Sequence, residues 1–145
     1  MEGSDFIMTD DKIVIQRPDW DSYFLGIAQA VATRADCRTR RFGAVIVKNN
    51  RIVSTGYNGA AAGHPGCLDG NCPRAFLEHP IPYQSYDEGP GYCIAVHAEA
   101  NALLYASRDQ TEGATLYLWG SSGFEGPCVG CSRLILGAGI EHVIF

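Results

Sequence analysis

Two short runs far apart in the chain, His97-Ala98-Glu99 and Pro127-Cys128-Val129-Gly130-Cys131, set the strongest condition on the fold. Each follows a loop and opens a stretch of helical periodicity, so one imidazole and two thiols meet only if two helix starts are brought together. Cys128 and Cys131 are three apart, which on a helix puts both sulfurs on one face. Free N–H groups and the positive end of the helix dipole favour thiolates there. One imidazole and two thiolates leave a tetrahedral zinc with its fourth position open to water, the pattern of a catalytic rather than a structural site. Glu99 then stands beside the metal as a proton carrier and not as a ligand, because zinc lowers the pKa of a bound water to about 7 and a nearby carboxylate can move that proton. Taken singly the two halves say less. A His at a helix start is more often a cap or a core residue, and a C-x-x-C can be a redox pair. Together they favour zinc, since the redox reading leaves His97 and Glu99 idle.

The elements between and around these runs point to an α/β chain. Pro18-Asp19 supplies a helix start, and Tyr23, Phe24, Ile27, Ala28, Val31 and Ala32 recur on one helical face, predicting a helix to about Ala35. Segments 43–48 and 51–57 are rich in branched residues and flank Asn49-Asn50, a pair that tolerates the positive φ of a tight turn, so they predict an antiparallel hairpin. A Gly- and Pro-containing stretch without clear period covers 58–92, and a loop that long inside a compact unit is usually functional or pinned by something. Beyond it come a helix over 98–108, a strand over 114–119, a glycine-rich loop over 120–126, a helix over 128–136 stopped by Gly137-Ala138-Gly139, and a strand over 140–145. This order predicts a mixed sheet with helices packed on it, the last two strands parallel through a right-handed crossover. Residues 1–17 mix acids with a few apolar residues and are expected as a loosely ordered arm carrying a short extended piece, leaving 18–145 as the one domain.

Composition excludes several classes. The 145 residues, 46% of them hydrophobic, suffice for one core of ordinary size. No apolar run approaches the roughly 18 residues of a membrane-crossing helix, and the N-terminus has no leader pattern, so the expected location is cytoplasmic, with no membrane partner. A net charge of −5 argues against general binding to a nucleic acid backbone but leaves a small anionic substrate open. Six cysteines without a secretion signal read as reduced thiols or metal ligands rather than a disulfide framework.

With these residues in view, the chain resembles the cytidine and deoxycytidylate deaminase superfamily, and most closely its deoxycytidylate branch. The resemblance covers most of 18–145. It rests on 19–24, on Gly43-Ala44-Val45-Ile46-Val47, on Ser54-Thr55-Gly56-Tyr57-Asn58-Gly59, on His97-Ala98-Glu99-Ala100-Asn101-Ala102 and on Pro-Cys-x-x-Cys. It implies a three-layer fold and hydrolytic removal of the 4-amino group of a cytosine nucleotide, dCMP to dUMP and ammonia. Zinc is implied on His97, Cys128 and Cys131, with Glu99 as the proton carrier, the N–H of Ala98 on the base carbonyl and Asn58 on the sugar. Read without the resemblance, a turn residue before Gly59 is the other reading of Asn58. Some relatives carry a second, structural zinc. Cys37, Cys67, Cys72 and Cys93 are the candidates for it here, and four buried thiols are the other reading. The resemblance further implies a homo-oligomer, commonly a hexamer.

The chain departs from the family in two places. The loop 120–126 is longer than usual and puts Gly126 where many relatives have Glu before the Pro, which bears on the base preferred. The sequence ends at Phe145, where many relatives continue into segments with phosphate contacts; Arg38, Arg40 and Arg41 lie near the expected pocket, but the sequence assigns none of them a role. Val143 and Phe145 are expected on a sheet edge in need of cover. Two other functions stay open at this level: deamination of another nucleobase or nucleotide, and a zinc-stabilised nucleotide-binding module without catalysis. Editing of single-stranded nucleic acid fits the acidic balance poorly.

Overall fold

The computed structural model describes residues 6–9, 12–76 and 86–145. A four-stranded mixed sheet organises the chain, in the order β4 (Arg51–Tyr57), β3 (Phe42–Lys48), β5 (Thr115–Gly120), β6 (His142–Ile144). β3 pairs antiparallel with β4 and β5, while β5 and β6 run parallel. Asn49 and Asn50 sit at φ of 52° and 58°, so the hairpin turn closes on the two residues the sequence marks for it.

Strand alternation divides the core into two. Ala44 and Ile46 of β3, with Leu116 and Leu118 of β5, face α2 (Ala98–Leu104) and α4 (Val129–Gly137), where Ala98, Ala102, Cys131 and Ile135 complete the cluster. Val45, Val47 and Tyr117 face the other way, against Phe24 and Ala28 of α1 (Trp20–Ala32). The result is the expected three layers, with the sheet between α1 and the pair α2 and α4. Asp19 caps α1 by accepting the Ser22 N–H at 2.7 Å.

The side layer that carries the site is held unusually close to the sheet. A Cβ on Gly56 of β4 would lie 2.4 Å from the Ala102 nitrogen and 2.5 Å from the Ala98 oxygen, so only glycine lets α2 lie directly on the strand. Ser54 Oγ donates to the Ala102 carbonyl at 2.6 Å, and Asn101 Nδ2 donates to the Tyr57 carbonyl at 2.8 Å. These contacts fix the helix that begins immediately after His97.

Several boundaries differ from expectation. α1 ends at Ala32, because the N–H groups of Thr33, Arg34 and Ala35 turn back onto carbonyls three residues earlier. α2 stops at Leu104, and a separate turn, α3 (Arg108–Thr111), follows. Its start is set by Ser107, whose N–H donates to Gln110 Oε1 at 2.9 Å, half of a capping pair that breaks the helix expected over 98–108. The last strand covers His142–Ile144 and stands at the sheet edge, as expected for Val143. At the N-terminus, β1 (Phe6–Thr9) and β2 (Lys12–Ile15) pair antiparallel, so the expected loose arm contains a hairpin. The rest of the arm expectation, residues 1–5 and 10–11, lies outside the described residues.

Candidate active site

His97 is the capping residue of α2, with an extended backbone (φ −66°, ψ 152°), and Cys128 caps α4 in the same way (φ −68°, ψ 169°). A capping residue projects its side chain across the helix mouth, so two mouths facing each other bring the side chains together. His97 Nδ1 lies 3.5 Å from Cys128 Sγ and 3.4 Å from Cys131 Sγ. All three ligating atoms fall within 4.8 Å of one another. The Cys131 N–H donates to Cys128 Sγ at 3.4 Å. Cys131 is buried while His97 and Cys128 are exposed, so the cluster opens to solvent on one side.

The donor set fits zinc. It offers two sulfurs and one imidazole nitrogen with no fourth protein ligand among the described residues, and His97 Nδ1 has no other hydrogen-bond partner among them. Glu99, the second residue of α2 and two after His97, is 5% exposed. Burial pushes the Cys131 thiol up, and the Glu99 carboxylate and Cys128 push it further. A cation at this point reverses that balance by stabilising the thiolate, which is what such a packed set of acidic groups lacks without one. Ala98 is the first residue of α2, where a backbone N–H has no intrahelical acceptor and points out of the helix mouth.

Asn58 is 5% exposed and is already engaged on both sides of its amide. Its Oδ1 accepts the Phe42 N–H at 2.9 Å and its Nδ2 donates to the Arg40 carbonyl at 3.3 Å. Beyond a turn residue, it locks the start of β3 to the segment that leads to the site. One N–H and one lone pair remain for a ligand. The next residue, Gly59, forms a two-way bridge with Val96, its N–H donating at 3.1 Å and its carbonyl accepting at 2.7 Å, which ties this corner to the residue before His97.

The remaining cysteines gather around Cys67, but less tightly than the first cluster. Burial pushes the Cys67 thiol up to about 12, with Cys72, Cys37 and Cys93 adding to the shift in that order. For Cys37 burial acts upward, but the N–H groups of Thr39 and Arg40 outweigh it and hold the thiol below its ordinary range. Asp36 brings the two halves together: its N–H donates to the Asn58 carbonyl at 2.8 Å and its Oδ1 accepts the Leu68 N–H at 2.9 Å. All six cysteines are free thiols.

The arginines separate by use. Arg41 spends its Nη1 on the carbonyls of Ala35 and Cys37, at 2.8 and 2.7 Å, closing the α1–β3 connection. Arg38 is exposed. Arg40 lies over the ring of Tyr86 with its Cζ 5.5 Å from the centroid, and Arg74 shares that ring at 4.3 Å. Tyr86 and Arg74 were not legible as site candidates, since they sit in the aperiodic stretch where only the folded path of the loop brings them near Arg40. The 120–126 loop folds back on the sheet. Ser121 exchanges hydrogen bonds with Arg41, and the Phe124 ring packs edge-on against Phe42 and Phe145, 5.7 Å between centroids in each case.

Comparison with known proteins agrees with this arrangement. Residues 18–145 match the family described as the cytidine and deoxycytidylate deaminase zinc-binding region. A deoxycytidylate deaminase of Mycobacterium phage D29 is 52% identical over 132 residues, covering 90% of this chain and 97% of that protein. The deoxycytidylate deaminase of Saccharomyces cerevisiae is 39% identical over 132 residues, 90% of this chain but 38% of the yeast protein. In fold, the chain is similar to the dCMP deaminase of cyanophage S-TIM5, with a TM-score of 0.60 at 24% identity, covering 88% of this chain and 82% of that one.

Proposed function

This chain belongs to the cytidine and deoxycytidylate deaminase family, and we propose that it hydrolyses dCMP to dUMP and ammonia. The observation that carries the reading is the convergence of His97, Cys128 and Cys131 beside the buried Glu99, in a chain 52% identical to a deoxycytidylate deaminase along nearly the whole of that protein.

His97, Cys128 and Cys131 hold the zinc, whose contribution is to make a water acidic enough to attack at neutral pH. The chain's own residues do the rest. Glu99, shielded from bulk water, takes the proton of the attacking water and gives it to N3 of the base as the new C4–O bond forms. A second transfer through the same carboxylate protonates the amine as the C4–N bond breaks, so one water is consumed and one ammonia leaves. The N–H of Ala98 donates to the base carbonyl, and Asn58 meets the sugar with the donor and lone pair it has left. Cys37, Cys67, Cys72 and Cys93 would hold a second, structural zinc, which would pin the loop between β4 and α2; the mutual influence of their thiols around Cys67 supports this.

The active form is a homo-oligomer, a hexamer on the family pattern, in the cytoplasm. Supporting this, Leu104, Tyr105, Val129 and Leu136 are exposed on and beside the two helices that carry the site. No helix among the described residues is long and apolar enough to cross a membrane.

Purified protein incubated with dCMP, CMP, deoxycytidine and dCTP, with Glu99→Ala in parallel, tests the reading through ammonia release. Turnover of dCMP above the others, lost in the variant, is the expected result. Turnover of another of the four above dCMP, or of none with zinc bound, overturns it in favour of a changed specificity or of a non-catalytic nucleotide-binding module.

A further inference from the structure

Gly120 and Gly126 stand at the two ends of the loop that leads to the first thiol, and each leaves room for an aromatic ring. Alternation along the strands puts Phe42 on the face of Ala44 and Ile46, and Gly120 on the face of Leu116 and Leu118, the side covered by α2 and α4. The two residues are paired across β3 and β5. The Phe124 ring folds back into the hollow over Gly120, where a Cβ would meet Phe124 Cδ2 at 2.8 Å. On β6, Val143 packs against the same cluster, and Phe145, two residues on, returns to that face. Its ring covers Gly126, where a Cβ would lie 2.9 Å from Phe145 Cζ and 3.1 Å from Cε2. Phe124, edge-on to both Phe42 and Phe145, joins the two ends into one stack.

Gly126 has a φ of 112°, a backbone region that favours glycine. Two demands thus meet at one residue, the positive φ and the space for the ring, and they account for the glycine that stands where many relatives have Glu. Pro127, whose own ring fixes its φ, carries the direction set at Gly126 into Cys128. The two thiols of the centre are held differently. Cys131 is buried in the core cluster with Ala98 and Ile135, so packing anchors it. Cys128 is exposed and caps the helix, so its place is set by the chain that leads into it. That lead is two residues long, and Phe145 is the side chain seated on it.

We propose that Phe145 is a positioning residue of the metal centre: its ring, braced by Phe124 and seated on Gly126, holds the entry to α4 so that Cys128 meets His97 and Cys131. The assignment rests on the reading that these three residues hold the zinc, and it gives a task to a side chain outside both metal-binding runs. Edge-on ring pairs favour one relative orientation, so the stack fixes direction as well as distance. Phe145 is 61% exposed, so removing its ring leaves no cavity in the core, and the effect on the metal can be read in a folded protein.

The test follows the metal directly. The full chain is loaded with cadmium, whose NMR signal separates a site of two sulfurs and one nitrogen from an all-sulfur one, and chelator is added until the former is lost. Wild type, Phe145→Ala, Phe145→Tyr, Gly126→Ala and the double variant with Phe145→Ala are compared, with kcat and KM for dCMP measured on the zinc-loaded proteins. Ile52→Ala controls for the loss of an exposed apolar side chain elsewhere. In Phe145→Ala, affinity at this site and kcat are expected to fall about 10-fold, the lower end for groups that orient a metal ligand, with KM little changed. Phe145→Tyr keeps the ring and should restore both, and Ile52→Ala should change neither. Gly126→Ala displaces the ring, so the double variant should lose less than the product of the two single losses. Wild-type affinity in Phe145→Ala, an equal loss in Ile52→Ala, no rescue in Phe145→Tyr, or losses that multiply in full overturns the proposal. If wild type holds the metal but turns over no dCMP, the activity reading fails separately, and the metal affinities alone decide the role of Phe145.

Discussion

His97 Nδ1 lies 3.4 Å from Cys131 Sγ across 34 residues of chain, with no other hydrogen-bonding partner than the two sulfurs among the described residues. Two helix mouths facing each other account for this meeting, and a metal accounts for its chemistry. Cobalt substituted for zinc should therefore show a tetrahedral visible spectrum with thiolate charge-transfer bands. In Cys131→Ser those bands should fall to about half, one thiolate of two remaining, and the bound metal should leave at lower chelator concentration. A spectrum unchanged by that substitution would place the metal elsewhere.

Glu99 is buried beside the ligands but is not one of them, so its loss should separate metal binding from turnover. Glu99→Gln keeps the shape and is expected to retain the zinc while lowering kcat by about 100- to 10,000-fold, the usual scale for losing a positioned proton carrier. Metal analysis alongside steady-state rates checks this. Loss of zinc together with activity would make Glu99 a structural support for the cluster instead.

How much of this was legible beforehand follows from where each signal lives. The β3–β4 hairpin and the His97, Cys128, Cys131 cluster announce themselves locally, through an Asn pair between branched runs and through ligands at two helix starts. The end of α2 was readable in principle from Ser107 and Gln110, but the apolar periodicity running past them hid it. For Asn58 the resemblance implies a sugar contact and the neighbouring Gly59 a turn residue; its hydrogen bonds reach back to Arg40 and Phe42, and no local pattern reports that. The same holds for the meeting of Arg40 with Arg74 and Tyr86, which depends on the folded path of an aperiodic loop.

That hidden role of Asn58 has a measurable consequence. Asn58→Ala leaves the Phe42 N–H and the Arg40 carbonyl without their partners at a site only 5% exposed. Two lost bonds of about 1 kcal/mol each, with the burial of what they leave behind, imply destabilisation of roughly 2–4 kcal/mol. Urea unfolding should show it as a lower midpoint with an unchanged slope. An effect below 0.5 kcal/mol or so would mean that water replaces the amide freely.

Close approach makes a different demand at Gly56. A Cβ there would meet the backbone of Ala98 and Ala102 at 2.5 and 2.4 Å, and backbone atoms do not swing aside as a flexible side chain does. Gly56→Ala should push α2 off β4, destabilising the fold by about 1–3 kcal/mol, the range for overpacking a tight core. Because α2 starts at the residue after His97, the same variant should bind zinc more weakly. Wild-type zinc affinity in a folded Gly56→Ala protein would show that the helix mouth is positioned from the α4 side alone.

On the opposite face of the sheet, Tyr117 donates its hydroxyl to Asp21 Oδ1 at 2.7 Å and so ties β5 to the first turn of α1. Burial first, and then this hydrogen bond and the carboxylate charge, push the phenol up to about 12 from its ordinary 10. The folded state thus holds the Tyr117 proton at pH values where the unfolded chain has released it, and stability must fall as pH rises through that interval. The contribution is complete below about pH 10 and is lost between about 10 and 12, up to roughly 2.7 kcal/mol in all. Tyr117→Phe should lower stability at neutral pH by about 1 kcal/mol, since the exposed Asp21 regains water, and should flatten the decline above pH 10. Denaturant unfolding of both proteins at pH 8, 10 and 11 reads the two effects together, and equal slopes with pH would show that Tyr117 does not titrate with folding.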